Sequence, residues 1–440
     1  METKTARHLA YNVLYAVLVK GAYANLALQQ ILRAQISKED RKFLTELVYG
    51  TVRRLNVLEW NAAQISARPV SAVDDKVRIL LCIGLYQILY MNSVPDSAAV
   101  NETVKVAKKV THAGNVKFVN AVLRNFLRKR ETLQLPEEEM WRDSLALNMP
   151  VWLIRRWSRA WGREKALSVL RAFNEIRPVD IRVNTQKASV SEIFKELSEA
   201  GASPSPISWC ENGMTLEDGG VFFRGNFLRE GKAYVQNRAS MIPAQVLEPK
   251  AGDRVLDMCA APGSKTTQMG ELMQNTGRIT AWDLYPHKVK LIQSNAKRLG
   301  LSVISAAAKD ATVPDKKEAG AYDKVLLDAP CSGLGVLGRK PEIRWRRTKK
   351  DLETFPALQE KLLRAAATYV KPGGILVYST CTLEKAENEE IVSSFLESNS
   401  EFETVPFSVG ALEAPGGMLT LWPDVHECDG FFTAKLRRKS

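Results

Sequence analysis

Lys324-Val325-Leu326-Leu327-Asp328-Ala329-Pro330-Cys331-Ser332-Gly333 is an apolar run closed by an acid, a proline and a thiol. Gly374-Ile375-Leu376-Val377-Tyr378-Ser379-Thr380-Cys381-Thr382 has the same form. Each run reads as a buried parallel strand, because a strand covered on both faces is apolar throughout rather than alternating. In an open α/β sheet, ligands sit just beyond the carboxyl ends of such strands. Cys331 and Cys381 are therefore expected to face one crevice, beside the carboxylate of Asp328. A thiol pair so close to an acid suits covalent catalysis better than a purely structural role.

The same rhythm extends on both sides. Strands are expected at 254–257, 277–283, 303–304, 324–328 and 374–380, with helices between them, as at 288–299 and 353–370. That alternation predicts a doubly wound, Rossmann-like parallel sheet from about residue 231 onward. The first strand runs into Asp257-Met258-Cys259-Ala260-Ala261-Pro262-Gly263-Ser264-Lys265-Thr266-Thr267. Small residues there let the backbone approach a ligand at the start of a helix. Ser264 splits Gly263 from Lys265-Thr266, and no upstream glycine has P-loop spacing, which argues against a nucleotide triphosphatase. Asp283 ends the second strand and is placed to accept hydrogen bonds from a ribose diol. Asp310, after the third strand, is expected at an adenine edge, and Asp328 ends the fourth. Four acids at four strand ends suit a ligand bearing a ribose, an amine and a sulfonium. The loop Cys259, Ala260, Ala261, Pro262, Gly263, Ser264, Lys265 would hold it.

Upstream, residues 1–130 read as all helix. Ala10, Val13, Leu14 and Val17 recur at helical spacing. Asp40 is expected to cap a helix carrying Phe43, Leu44, Leu47 and Val48. Val77–Met91 is apolar nearly all round and should be a central buried helix. Lys105, Lys108 and Lys109, then Arg124, Arg128, Lys129 and Arg130, form basic clusters open to two readings, a solvated face or RNA contact. Residues 131–230 form a smaller α+β segment between this domain and the catalytic domain at 231–440. In it Val151–Phe173 reads as one helix, 201–206 as a loop by composition, and Trp152, Trp157 and Trp161 as a core stripe. Arg339–Lys350 carries seven basic residues and Trp345, which suits phosphate contact with one stacking ring.

The whole chain has 440 residues, enough for about three domains. A formal charge of +13 and a pI near 9.4 favour an acidic polymer as partner, most simply nucleic acid. The six cysteines form no Cys-x-x-Cys pair, so no metal site is expected. Their scatter fits reduced thiols in a cytoplasm. No run approaches the ~20 apolar residues that cross a bilayer. The first residues lack the apolar core of a signal peptide. A soluble cytoplasmic protein that binds no membrane is expected.

The motifs Asp257 to Thr266, Asp328-Ala329-Pro330-Cys331-Ser332-Gly333 and Ser379-Thr380-Cys381-Thr382 together resemble the RNA 5-methylcytosine methyltransferases that use S-adenosylmethionine. The N-terminal part resembles the NusB RNA-binding fold. Its matching stretches are Gly21–Leu26, Asp40–Arg53, Leu85–Tyr90, Ala99–Thr103 and Phe118–Arg124. A NusB-like domain fused to this catalytic domain is the arrangement of the bacterial 16S rRNA methyltransferase B (Sun or RsmB) family. Asp429–Leu436 is similar to the closing strand of that family. Two departures lie where the cofactor rim is expected. Ser264 stands where the family has glycine, and Gln236-Asn237-Arg238-Ala239-Ser240 replaces a usual Gln-Asp-Glu-Ala-Ser.

The resemblance implies methyl transfer from S-adenosylmethionine, without a metal, to carbon 5 of a cytosine in 16S rRNA, cytosine 967. It assigns the nucleophile that adds to carbon 6 to Cys381, and resolution of the adduct to Cys331. Asp328 would hydrogen-bond N3 and the exocyclic amine. Lys265 would place the base or lower a thiol pKa. The substrate would be free rRNA or an early small-subunit assembly, and the protein a monomer. Three alternatives stay open in the sequence. They are a DNA-enzyme type of mechanism with Cys331 as nucleophile, a transfer-RNA or other RNA substrate, and a non-catalytic RNA-binding factor. The acceptor of the carbon-5 proton is not legible.

Overall fold

The computed structural model describes residues 5–32, 36–69 and 72–440. The chain divides into two compact units, residues 1–174 with 337–346, and residues 175–336 with 347–440.

The first unit is helical. Helices Ala6–Leu18, Ala24–Leu32, Lys38–Arg53, Leu55–Ile65, Asp75–Tyr90, Asp96–Val110 and Ala113–Lys129 share one core. Asp74 starts the central helix by accepting the Lys76 N–H at 2.8 Å. Val77 and every residue from Ile79 to Gln87 are buried, so its neighbours cover it on all sides. Gly84 permits a close approach. A Cβ there would lie 2.5 Å from a Leu123 methyl. The cap of Lys38–Arg53 differs from the sequence expectation. Ser37, not Asp40, is the N-cap, and its hydroxyl accepts the Asp40 N–H at 3.0 Å. Asp40 instead supplies negative charge to the first turn.

Helices Glu139–Leu147, Val151–Trp161 and Arg163–Ala172 complete this unit's N-terminal part. The single helix expected over Val151–Phe173 is two, because Gly162 takes φ 84° and ends the first. Of the expected core stripe, Trp157 is buried, with its ring 4.7 Å from that of Trp161, while Trp152 and Trp161 are only half-buried.

Leu337–Arg346 returns to the first unit and corrects the reading of Arg339–Lys350 as an RNA-facing loop. Trp345 packs on the helical core and donates its indole N–H to the Val52 carbonyl at 2.6 Å. Arg344 is buried and donates to the carbonyls of Asn148, Phe173 and Leu337 and to Asn174 Oδ1. Burial pushes its guanidinium down to about 9. Arg346 donates to the Val17 and Ala22 carbonyls. The ring and two of the seven cations are therefore spent on packing.

The second unit opens with an antiparallel sheet of β1 (Val179–Val183), β2 (Pro204–Ile207), β3 (Cys210–Leu216) and β4 (Ala233–Val235), in the order β2-β3-β1-β4. The loop expected at 201–206 is partly strand. β2 is an edge strand, where prolines leave no ladder donor missing.

The larger sheet contains β5 (Arg254–Asp257), β6 (Arg278–Asp283), β7 (Ile304–Ala308), β8 (Tyr322–Asp328), β9 (Val370–Thr380) and β10 (Phe402–Thr404). β11 (Phe407–Val409) and β12 (Leu412–Ala414) pair separately. β13 (Met418–Leu421) and β14 (Phe431–Arg438) complete the larger sheet. Its order is β10-β14-β9-β8-β5-β6-β7, with β13 also on β14. β5 to β9 are parallel. β14 runs antiparallel to β9, so the sheet is mixed rather than wholly parallel. Neighbouring residues face opposite cores. Leu256, Leu327 and Tyr378 join one cluster, while Val255, Leu326 and Val377 join the other. Two covered faces explain the uninterrupted apolar runs. The chain passes from β5 to β6 and β7 on one side, then to β8 on the other. The crevice at that switch, above Asp257 and Asp328, is where such sheets bind ligands.

Candidate active site

The loop after β5 is built by the backbone. Met258 N–H donates to the Leu326 carbonyl, Ala260 N–H to that of Trp282, and Gly263 N–H to that of Ala260. Gly263 takes φ 98°, and a Cβ there would lie 3.3 Å from Ile292 Cα. A side chain is thus disfavoured by conformation and by space. Helix Ser264–Leu272 starts at once, so its free N–H groups face the loop. The glycine-to-serine departure at Ser264 therefore falls on the first helical residue.

Asp257 Oδ2 accepts the Thr266 hydroxyl at 2.7 Å, while Oδ1 is buried without a partner. Burial pushes this acid up to about 7, against the pull of the Thr266 hydrogen bond, and Asp328 and Asp283 add to the rise. Asp283 is largely buried and accepts the Tyr285 N–H at 3.1 Å, with Lys288 Nζ 3.9 Å away. Asp257, Asp283 and Asp328 share one field. Asp310 stands apart. It is exposed, and its Oδ1 accepts the Thr312 hydroxyl and N–H, bonds that pull it down. An orphaned buried carboxylate oxygen, a loop of small residues turned at Gly263 and clustered acids fit a ligand with an ammonium, ribose hydroxyls and a sulfonium. Among the described residues, no His, Cys, Asp or Glu cluster could hold a metal ion.

The thiols meet beside this loop. Asp328 on β8 pairs with Ser379 on β9, which aligns the segments following both strands. Ala329 N–H donates to the Ser379 carbonyl, and Gly335 N–H to that of Cys381. The Cys331 and Cys381 sulfurs are 3.3 Å apart. Lys265 Nζ lies 2.7 Å from Asp328 Oδ2, and Ser379 donates its hydroxyl to Asp328 Oδ1 at 2.9 Å. Burial alone would lower the Lys265 ammonium, but the charge and hydrogen bond of Asp328 outweigh it and hold it up.

Cys331 is pushed well up, first by its hydrogen bond with Cys381, then by burial, then by nearby charge including Glu387 and Asp328. The Lys265 ammonium interacts with the Cys381 sulfur, an arrangement that favours negative charge there. Cys259, in the loop after β5, is raised by burial and by Asp257, Asp328 and Asp283.

Several residues at the site escaped the sequence reading. Glu387 is fully buried and accepts from Ser332 N–H at 2.8 Å and from the Gln359 amide at 3.0 Å. In sequence it sits in an acidic stretch that resembles an ordinary exposed helix start. Arg182 alternates with apolar neighbours in β1 and so looks solvent-facing. It is fully buried and bonds Glu271, Gln236, Thr267 and the Ser264 carbonyl. Asn237 and Arg238, expected at the cofactor rim, both bond Asp180 of β1 instead. The buried Asp180 carboxylate needs donors, and these two residues supply them.

Comparison with known proteins agrees with this architecture. Residues 244–437 match the family model for 16S rRNA methyltransferase RsmB/F, residues 4–128 that of the NusB family, and residues 149–221 a Methyltr_RsmF/B-like, ferredoxin-like domain. The chain is 34% identical to the "probable ribosomal RNA small subunit methyltransferase B" of Bacillus subtilis over 100% of both chains. It is 36% identical to the Synechocystis protein of the same name over 99% of each. The crystal structure of PH0851 superposes with a TM-score of 0.87 at 28% identity, covering 99% of both chains. With its helical, ferredoxin-like and methyltransferase parts in this order, the chain belongs to the ribosomal RNA small subunit methyltransferase B family.

Proposed function

We propose that this protein transfers a methyl group from S-adenosylmethionine to carbon 5 of a cytosine in 16S rRNA, through a covalent adduct between Cys381 and carbon 6. The family resemblance points to cytosine 967. The observation that carries the chemistry is the pair of sulfurs 3.3 Å apart, beside the Lys265–Asp328 ion pair. The rRNA substrate is supported by the names of the relatives and by the NusB match. The substrate state would be free rRNA or an early small-subunit assembly, met by a monomer in the cytoplasm.

S-adenosylmethionine supplies an electrophilic methyl group. Asp257, Asp283 and the Cys259–Lys265 loop would hold it. The target base leaves its stack to reach the crevice. The Cys381 thiolate adds to carbon 6, which makes carbon 5 nucleophilic. N3 takes up a proton from solvent as the thiolate adds, the Asp328 carboxylate accepts hydrogen bonds from that N3–H and from the exocyclic amine, and Lys265 keeps the carboxylate in place. After methyl transfer a proton leaves carbon 5 to water. Its C–H electron pair restores the 5,6 double bond, and the Cys381 sulfur leaves with its bonding pair.

The test is a map of 5-methylcytosine in 16S rRNA from a deletion strain. One site should lose methylation and regain it with the wild-type gene but not with Cys381→Ala. An unchanged 16S pattern would overturn the assignment.

A further inference from the structure

Both thiol loops converge on one buried carboxylate that the proposed chemistry does not use. Glu387 Oε2 accepts the Ser332 N–H at 2.8 Å, on the residue that follows Cys331. The same oxygen accepts the Gln359 amide at 3.0 Å, and Gln359 also donates to the Pro330 carbonyl at 3.0 Å, on the residue before Cys331. Glu387 Oε1 lies 3.4 Å from the Thr382 hydroxyl, on the residue that follows Cys381. Ser332 and Thr382 share a hydroxyl–hydroxyl bond of 2.8 Å. The Glu387 carbonyl accepts the Tyr378 hydroxyl at 2.6 Å, and Asn388 donates to the Thr382 carbonyl at 3.0 Å. One carboxylate thus holds Ser332 after Cys331 and Thr382 after Cys381 directly, and Pro330 before Cys331 through Gln359.

We propose that Glu387 is a positioning residue for adduct breakdown, fixing the Cys331 thiol against the Cys381 sulfur. This inference rests on the reading of Cys381 as nucleophile. At 3.3 Å the Cys331 S–H is within reach of the Cys381 sulfur. During elimination the electron pair of the S–C6 bond returns to Cys381, and negative charge grows on that sulfur. An S–H donor aimed at it stabilises the departing thiolate. Glu387 and Asp328 both help to keep Cys331 protonated, which keeps the donor available. Cofactor binding and the first attack need only Cys381, Lys265 and the acids, so they should not depend on Glu387.

The experiment uses the full chain, a target rRNA fragment and S-adenosylmethionine, read by denaturing gel and by turnover. Fragments carrying 5-fluorocytosine serve as a control, since a carbon-5 fluorine cannot leave as the proton does and the adduct persists. Glu387→Ala should bind cofactor within about twofold of wild type, form the adduct on ordinary RNA and release it at least tenfold more slowly. Glu387→Gln keeps an acceptor for Ser332 and Gln359 and can donate to Thr382, so it should restore most turnover. Thr382→Val cuts the link on the Cys381 side without changing side-chain shape, and it decides the matter if Glu387→Ala does not fold. It too should accumulate adduct.

Wild-type turnover in Glu387→Ala or Thr382→Val would overturn the inference, as would Glu387→Gln folding and binding cofactor yet turning over no faster than Glu387→Ala. Loss of cofactor binding in Thr382→Val would also overturn it, because the network would then hold the domain rather than the thiols. If wild type itself forms no adduct with the fluorinated RNA, the nucleophile reading fails instead.

Discussion

Replacing Arg182 by methionine should be among the most damaging single changes outside the thiol crevice. The guanidinium donates through Nε to Glu271 Oε2 at 2.8 Å and through Nη2 to Glu271 Oε1 and Thr267 Oγ1 at 3.0 Å each. Nη1 donates to the Ser264 carbonyl at 2.9 Å and to Gln236. Arg182 and Glu271 are both buried. Removing one partner leaves a buried charge unpaired, which costs about 3–5 kcal/mol. Burial already pushes the Glu271 carboxyl up against the pull of Arg182. Without that pull it rises further. A carboxyl raised by folding stabilises the folded state below its unfolded pKa and loses that contribution as pH rises through its folded pKa. The defect of Arg182→Met should therefore grow from pH 5 to pH 8. Arg182→Met with Glu271→Leu carries neither charge and should recover at least half of the loss. The assay is urea unfolding of wild type, both single variants and the double, compared by the midpoint of the transition that shifts. Since Arg182 holds the first carbonyl of the helix after the proposed cofactor loop, the single variant should also bind cofactor more weakly where it remains folded. A single variant within 1 kcal/mol of wild type, or a double as unstable as the single, would refute the reasoning.

Asp257→Asn removes an acid whose neutral form is favoured by on the order of 4 kcal/mol when it sits near 7. Without cofactor, wild type should lose stability relative to this variant as pH rises from about 4 through 7; thermal melts at pH 5 and 8 showing the same difference would contradict it. Trp345→Ala should cost roughly 3 kcal/mol of helical-unit stability, since the ring packs on that core and its N–H is bonded to Val52. Its RNA binding should keep the wild-type salt slope; a shallower slope would return the ring's segment to the RNA surface.

The sheet was legible because strands covered on both sides leave long apolar runs, as in Leu326-Leu327 and Ile375-Leu376-Val377. The antiparallel β14 was harder, since strand direction depends on pairing and leaves no mark on one strand's composition. The thiol pair was legible because each cysteine closes such a run, and β8–β9 pairing then brings the two together. Asp257, Asp283 and Asp328 gathered as strand ends should, whereas Asp310 lies two residues beyond β7 and turns onto Thr312. Arg182 and Glu387 were illegible for one physical reason. A buried charge is affordable only with distant partners, and Arg182 is 89 residues from Glu271. Trp345 misled in the opposite way. Its basic surroundings mimic an RNA-binding loop, and only the long-range return of the segment reveals a packing role.

The most direct measurement is a denaturing gel of labelled rRNA fragment incubated with cofactor and wild type, Cys381→Ala or Cys331→Ala, with ordinary and with 5-fluorocytosine RNA. Cys381→Ala should form no covalent complex with either RNA and transfer no methyl group. Cys331→Ala should form the complex with both, because the nucleophile remains and only breakdown is impaired. Wild type should be trapped by the fluorinated RNA alone. Adducts in Cys381→Ala together with their absence in Cys331→Ala would contradict the account and make Cys331 the nucleophile.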